Sequence, residues 1–379
     1  MNQAKHILVT APLGFGGITS MMINIQKNID RDKLNFDYLV LHDRHEDLED
    51  VVIKMGSQKL IASADEVNNK WRRVFVRWYR LYRVFKDNEI KVLHLNGGPA
   101  SDMTMVFIAK LAGVKHVTFH SHNAGNSVYR NKITVVMSKA FKMLMPAFVD
   151  EFWACSSLAA QFSFPKSIVK KQKYEFIPNG VALEKFSYSA SVREEMRKKL
   201  GLEDKFVIGH AGRFNIQKNH EYLIEMFSEL HSKCPDAVLI LFGDGELYTT
   251  IQTKVKNMNL EGSVWFMGTT DEMPKMYQAM DIFVMPSLCE GLPVAGVEAQ
   301  ASGLPVILAD TITKEVGVTD CVKYLPLLDD KTEWVREILN FRGFKRYSRC
   351  EELKRAGFDE KDVARNFQNY YLKVLENLK

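Results

Sequence analysis

A chain of 379 residues, 46% apolar and 26% charged, is globular in composition and long enough for two domains that each bury a core. Its formal charge of +5 is modest for this size, so composition by itself does not indicate a nucleic-acid binder. Five cysteines (Cys155, Cys234, Cys289, Cys321, Cys350) lack metal-ligand spacing and are odd in number, no apolar run reaches the length of a membrane span, and the opening residues lack the apolar core of a secretory signal, so a reduced, cytoplasmic protein is expected.

Along the first half, short apolar runs at residues 7–11, 36–41, 92–95, 116–120 and 151–154 alternate with longer amphipathic stretches. That alternation predicts a parallel sheet covered by helices on both faces. The loop after the first run carries Gly14, Gly16 and Gly17 ahead of a helical pattern that begins at Ser20. Glycines there let a phosphate approach the backbone closely. A nicotinamide-cofactor reading starts from Gly14 and Gly16 with Asp43 after the second strand, but Thr19 stands where the third glycine belongs and Asp43 lies too far along. A tight strand-to-helix turn without a ligand is the plain alternative.

Residues 71–86 contain Arg72, Arg73, Arg77, Arg80, Arg83 and Lys86 without an acid among them, and helical spacing gathers these on one side. Trp71, Val74, Phe75, Trp78, Leu81, Tyr82 and Phe85 gather on the other. Two readings stand side by side: a basic amphipathic helix for an anionic membrane surface, or a helix that packs its aromatic face on the first sheet and shows arginines to water.

The second half repeats the strand and helix alternation. After Ile177-Pro-Asn-Gly180 comes a Ser-rich polar stretch and a helical pattern over 192–200, then strand candidates at 206–210, 237–242, 264–267, 282–285 and 306–308. Two doubly wound domains follow, with boundaries expected at 1–185 and 186–358. The last segment, 359–379, predicts an amphipathic helix with Phe367, Tyr370, Tyr371, Val374 and Leu375 as its apolar face, expected to cross back to the first domain.

Two loops of the second series carry chemistry. In the first, Gly212-Arg213-Phe214-Asn215-Ile216-Gln217-Lys218 follows a strand and places two cations close together, which suits a diphosphate: arginine binds its oxygens as a fork and lysine as a point charge. In the other, Glu290 falls in the loop after a strand and Pro293 suits the first turn of the helix that carries Glu298. A helix start favours anions through its unpaired amides, and the carboxylates accept hydrogen bonds from sugar or ribose hydroxyls. A sugar nucleotide needs both kinds of group.

Taken together, Ile177-Pro-Asn-Gly-Val181, Gly212-Arg213-Phe with Gln217-Lys218-Asn219, Phe242-Gly-Asp-Gly-Glu246-Leu, and Pro286-Ser with Glu290 and Glu298 seven residues apart resemble the retaining GT-B glycosyltransferases of family 4, also called glycosyl transferase group 1. The resemblance spans nearly the whole chain. The wording around Glu290 and Asp310-Thr-Ile-Thr-Lys-Glu315 is most similar to bacterial capsule and exopolysaccharide enzymes.

The resemblance implies an α/β fold of two Rossmann-like domains with the active site in the cleft between them. It implies that Arg213 and Lys218 hold the donor diphosphate and stabilise the leaving group, that Glu298 binds the ribose, and that Glu290 with Gly291, Leu292, Pro293 and Val294 holds the sugar and phosphate. Gly16 and Gly17 would close over the diphosphate. His120 matches the family's sugar-contacting histidine, with His122 as its rival. No metal and no cofactor is implied. Two departures stand out: Ala182 replaces the usual aspartate after Asn-Gly-Val, and Thr311-Ile-Thr313 replaces a common glycine pair.

The expected activity is transfer of a hexose or N-acetylhexosamine, with retention, from a UDP-linked donor to a polyprenyl-diphosphate-linked saccharide in cell-surface polysaccharide biosynthesis. The enzyme would be cytoplasmic and peripherally attached to the inner face of the membrane, with an anionic surface as a further partner and no nucleic acid. Rival readings are a transferase with a soluble acceptor, a sugar-nucleotide epimerase, and a catalytically silent scaffold for a partner transferase.

Overall fold

The apolar runs of the two halves become the strands of two separate parallel sheets, seen in a computed structural model that describes residues 5–378 except 15, 99–101, 123 and 126–131. The chain divides into one unit of Met1–Gly180 with Glu360–Lys379 and a second of Val181–Asp359.

In the first unit the strands are β1 (Lys5–Thr10), β2 (Leu34–Val40), β3 (Lys59–Ile61), β4 (Val92–Gly97), β5 (His116–Ser121), β6 (Glu151–Ala154) and β7 (Glu175–Phe176), in the order β3-β2-β1-β4-β5-β6-β7. Every neighbouring pair is parallel, with Val9 opposite Tyr38 and Leu95 opposite Phe119. Parallel strands covered on both faces bury nearly all their side chains, and Val9, Phe36, Leu93 and Phe119 have essentially no exposed surface. The helix Gly17–Asn28 starts three residues before the pattern suggested. It places Met21, Met22 and Ile25 in the core. Its one buried amide, Gln26, is matched by donation to Asn35 Oδ1 and Ser57 Oγ, each at 2.6 Å, and by acceptance from Tyr38 Oη at 2.9 Å. That satisfaction removes the cost of an orphaned polar group.

The C-terminal helix Glu360–Asn377 packs in this same core. Phe367 lies against Phe36 with ring centroids 5.3 Å apart, and Tyr370 lies edge-on to Trp153 at 4.8 Å. A Cβ on Gly180 would come within 2.7 Å of Glu360 Cα, so the close approach of the returning chain requires glycine there.

The helix Lys70–Asp87 forms, with Asn69 capping the amides of Trp71 and Arg72, but most of the aromatic face expected to pack does not. Only Leu81 and Phe85 are buried. Trp71, Phe75, Trp78 and Tyr79 are exposed, while Arg73, Arg77 and Arg80 turn inward to the segment 63–67. That segment offers carbonyls and carboxylates that no aromatic ring could satisfy.

The second unit holds β8 (Phe206–Ala211), β9 (Ala237–Phe242), β10 (Val264–Gly268), β11 (Ile282–Met285), β12 (Val306–Ala309) and β13 (Val322–Leu325), ordered β10-β9-β8-β11-β12-β13 and parallel throughout. Leu223, Phe227, Leu239, Val284, Val297 and Ile307 fill its core without exposed surface. Among the described residues no helix is long and apolar enough to cross a membrane.

Candidate functional site

In a doubly wound sheet a crevice opens where successive connections run in opposite directions, beyond the carboxyl ends of the strands. In the second unit the order reverses between β8 and β11. The loops that leave these two strands are the Arg213–Lys218 segment and the Glu290 segment, so topology alone brings together the two motifs that sequence separates by some 70 positions.

Hydrogen bonds lock these loops to one another. Leu288 N donates to Gln217 O at 2.8 Å, Gln217 Nε2 donates to Cys289 O at 2.8 Å, and Asn219 Nδ2 donates to Pro286 O at 3.1 Å. Asn219 adopts a left-handed conformation, φ 56°, to start the next helix. Lys218 Nζ forms an ion pair with Glu290 Oε1 at 2.7 Å, and Glu290 Oε2 accepts from Gln217 Nε2 at 3.2 Å. Glu290 is only 7% exposed, so the ammonium is the partner that makes a charged carboxylate tolerable there.

Glycines shape this floor. A Cβ on Gly212 would stand 2.9 Å from Lys218 Cδ, so the lysine stem folds back over the residue that precedes Arg213. Gly243 of the Phe242-Gly-Asp-Gly motif has φ 130°, and a Cβ there would fall 2.2 Å from Gly212 O. That motif therefore packs under the cationic loop. Arg213 itself is exposed and makes no side-chain hydrogen bond or ion pair among the described residues.

Beyond β11 the helix Val294–Ala301 begins with Pro293 at its cap position, just before the first turn in which it was expected, and no side chain caps its first amides. Those free N–H groups face the same strand end as Gly291 and Leu292 and favour an anion. Glu298 lies one turn into this helix. Its carboxylate accepts from Tyr277 Oη at 3.0 Å, and burial raises its pKa to about 7 against the bond from Tyr277. The Thr311-Ile-Thr313 segment closes the far side: Thr311 Oγ1 donates to Ser287 O at 2.7 Å, and Ile312 pairs with Glu290 in a parallel bridge.

The first unit reverses its order between β1 and β4. Gly16 and Gly17 start the helix after β1, again without a side-chain cap. A Cβ on either would touch nothing within 4 Å, so packing within the chain does not explain them. Thr19 is not a substitute glycine; its hydroxyl donates to Pro12 O at 2.6 Å and braces the loop.

Across the same edge runs a chain of neutral groups. Asn96 Nδ2 donates to Thr10 O at 3.0 Å, which turns Asn96 Oδ1 toward His94 Nε2 at 3.1 Å and His122 Nε2 at 2.8 Å. Both imidazoles therefore donate from Nε2, and His94 Nδ1 accepts from Tyr371 Oη at 2.6 Å. Burial lowers His94 to about 3 and His122 to about 4. His120 lies behind them, its ring centroid 4.0 Å from that of His122. It has no exposed surface, its ring nitrogens lack hydrogen bonds of good geometry, and burial depresses its pKa strongly. Of the two histidines singled out by sequence, His120 is fully buried and His122 keeps partial exposure.

The second unit thus brings Lys218, Glu290, Gly291, Leu292, Pro293, Val294 and Glu298 to one sheet edge, with Arg213 beside them. Gln217, Asn219, Tyr277 and Thr311, which orient these groups, carried no assigned role in the sequence. Gln217 and Asn219 lay within a quoted motif; Tyr277 had no signal at all. Among the described residues no group of three or more His, Cys, Asp or Glu side chains could hold a metal ion.

The family described as glycosyl transferases group 1 matches residues 192–320. A putative glycosyltransferase, EpsF of Bacillus subtilis (strain 168), is 30% identical over 379 residues, covering 98% of this chain and 97% of that protein. The Escherichia coli UDP-Gal:alpha-D-GlcNAc-diphosphoundecaprenol alpha-1,3-galactosyltransferase is 29% identical over 234 residues, 61% of this chain and 60% of that one. Among solved structures, Anabaena HepE in complex with UDP-glucose superposes with a TM-score of 0.68 at 16% identity, covering 96% of this chain and 94% of the other.

Proposed function

Since the chain belongs to the glycosyl transferase group 1 family, the retaining GT-B hexosyltransferases of family 4, we propose that it moves a hexose or N-acetylhexosamine from UDP to a polyprenyl-diphosphate-linked saccharide during cell-surface polysaccharide synthesis. It would work at the inner face of the membrane. The observation that carries this reading is the Lys218–Glu290 pair beside the uncapped helix start at Val294, cation, amides and carboxylate on one strand edge. Full-length similarity to EpsF, the lipid-linked acceptor in the name of the E. coli relative, and the UDP-glucose bound to HepE support the donor and acceptor classes.

On this reading the diphosphate takes Lys218 from Glu290 and lies against the amides at residues 291–294, with Arg213 reaching it from the exposed side. Charge that develops on the leaving phosphate meets fixed cations and dipoles, where electrostatic help lowers a barrier most. Glu290, released, accepts hydroxyls of the donor sugar. Glu298 accepts the ribose hydroxyls, and Tyr277 holds its carboxylate in place. Gly16 and Gly17 give a phosphate access to the backbone of the first unit, and one of the neutral pair His120 and His122 contacts the donor sugar.

The test is transfer from a panel of UDP-sugars to a polyprenyl-diphosphate-linked N-acetylhexosamine, with the product's anomeric configuration read by NMR. A lipid-linked product with retained configuration is expected. Transfer to soluble sugars alone would replace the acceptor class, and inertness toward every donor would favour the scaffold reading.

A further inference from the structure

The helix Lys70–Asp87 has an outward face that the protein does not use. Trp71 is 76% exposed, Phe75 62%, Tyr79 59% and Trp78 41%. Positions 71, 75, 78, 79 and 82 follow the i, i+4, i+7, i+8 line of one helix face, so these rings form a single stripe, with Phe75 and Trp78 in edge contact at 5.6 Å. A monomer gains nothing from showing four aromatic rings to water, and contiguous apolar patches of this kind mark interaction sites.

The charges around the stripe are sorted. Arg73 Nε donates to Val67 O at 2.7 Å, Arg80 pairs with Glu66 at 2.6 Å, and Arg77 lies 3.7 Å from Asp65; these three anchor the helix to its own unit. Arg83 is held by Asp87 and Tyr79 Oη. Lys70, Arg72 and Lys86 are exposed and form no ion pair among the described residues. They border the rings, and no acid lies along the stripe before Asp87.

We propose that this stripe, Trp71, Phe75, Trp78 and Tyr79 with Lys70, Arg72 and Lys86 at its border, is a membrane-docking surface that seats in the headgroup region of an anionic bilayer. Trp and Tyr favour that depth because their rings are apolar and their polar edges stay hydrated, and unpaired bases alongside draw the helix to anionic lipid. Aromatic rings serve protein interfaces as well; what favours an anionic bilayer here is the border of unpaired bases, Lys70, Arg72 and Lys86, with no acid between them. The proposal deepens the reading of a lipid-linked acceptor: it supplies the surface that keeps the enzyme where such an acceptor resides, and it rests on that reading for its purpose but not for its test.

The experiment is flotation of the full chain with vesicles of phosphatidylglycerol and phosphatidylcholine, alongside W71A/F75A/W78A and a separate K70E/R72E/K86E variant. Circular dichroism and UDP protection against thermal unfolding serve as fold controls. Wild type is expected to float, with a blue-shifted Trp emission quenched by brominated lipid. The aromatic variant should lose at least about tenfold in partitioning, and the charge variant should lose its preference for anionic lipid. Equal flotation of wild type and a folded aromatic variant would overturn the proposal. So would a wild-type dimer that the aromatic substitutions dissolve while vesicles fail to compete. Because vesicles test the surface and UDP-sugar turnover tests the site, failure of one leaves the other standing.

Discussion

Glu298→Gln should make the second unit more stable, by a margin that grows as pH rises from 4.5 to about 7. The carboxyl is desolvated in the helix Val294–Ala301, and its pKa stands at about 7 instead of 4.5. Between those values the folded protein keeps a proton that the unfolded chain has released, so stability falls as pH rises from 4.5, and the cost is complete above about 7. That difference corresponds to about 3 kcal/mol. Glutamine keeps an acceptor for Tyr277 Oη, now 3.0 Å from the carboxylate, and carries no charge. The gain should therefore be about a quarter of its maximum at pH 5 and nearly complete at pH 8, where it is roughly 6–12 °C in melting temperature for a unit of this size. Melting curves of both proteins from pH 5 to 8.5 supply the assay, with UDP titrations at the same values. Ribose hydroxyls that donate to Glu298 favour its ionised form, so UDP affinity in wild type should rise with pH through 7 while that of the variant stays flat. A stabilisation independent of pH would refute the desolvation argument, and parallel UDP curves would refute the ribose assignment.

Glu290→Gln frees Lys218 from its counter-ion while removing the proposed anchor of the sugar; UDP should bind roughly 5-fold tighter, about 1 kcal/mol, as turnover drops, and calorimetry showing weaker UDP binding would contradict the exchange of partners. Phe367→Ala removes a ring that packs on Phe36 and Trp153 and should cost about 3–5 kcal/mol in the first unit, measured by denaturant unfolding; a loss under 1 kcal/mol would show that the C-terminal helix is not part of that core. His94 and His122 have pKa values depressed by burial to about 3 and 4. Their neutral forms support the fold above about pH 6.5, and that support should fade as pH falls toward 4 because the unfolded chain takes up protons the folded one refuses. A melting temperature of the first unit that holds steady from pH 7 to 4.5 would contradict this.

The sequence was most legible where one physical signal acted alone. β6, β9 and β11 begin and end where their apolar runs do, because strands buried on both faces read as continuous hydrophobic segments. β3, β7 and β13 left no such run; they are two to four residues long, partly exposed, at sheet edges. Periodicity foretold the amphipathic helix at Lys70–Asp87 but not which face turns inward, since that depended on Ser63, Asp65, Glu66 and Val67 offering acceptors to arginines. His120 lies in β5 and His122 just past its end, two positions apart, so the two-residue period could not tell them apart. Lys218, Glu290 and Glu298 were readable from spacing and resemblance, whereas Tyr277 acts from a helix 21 residues upstream of its partner and nothing in its neighbourhood marks it.

The account stands on Lys218 as the cation that exchanges Glu290 for the donor diphosphate. The most direct measurement is UDP release from a matched UDP-sugar by wild type and Lys218→Ala, with folding of both verified. Loss of about two to three orders of magnitude in kcat by the variant, on the scale of removing one stabilising group from a charged transition state, is the predicted result. Equal UDP release by the two proteins would contradict it.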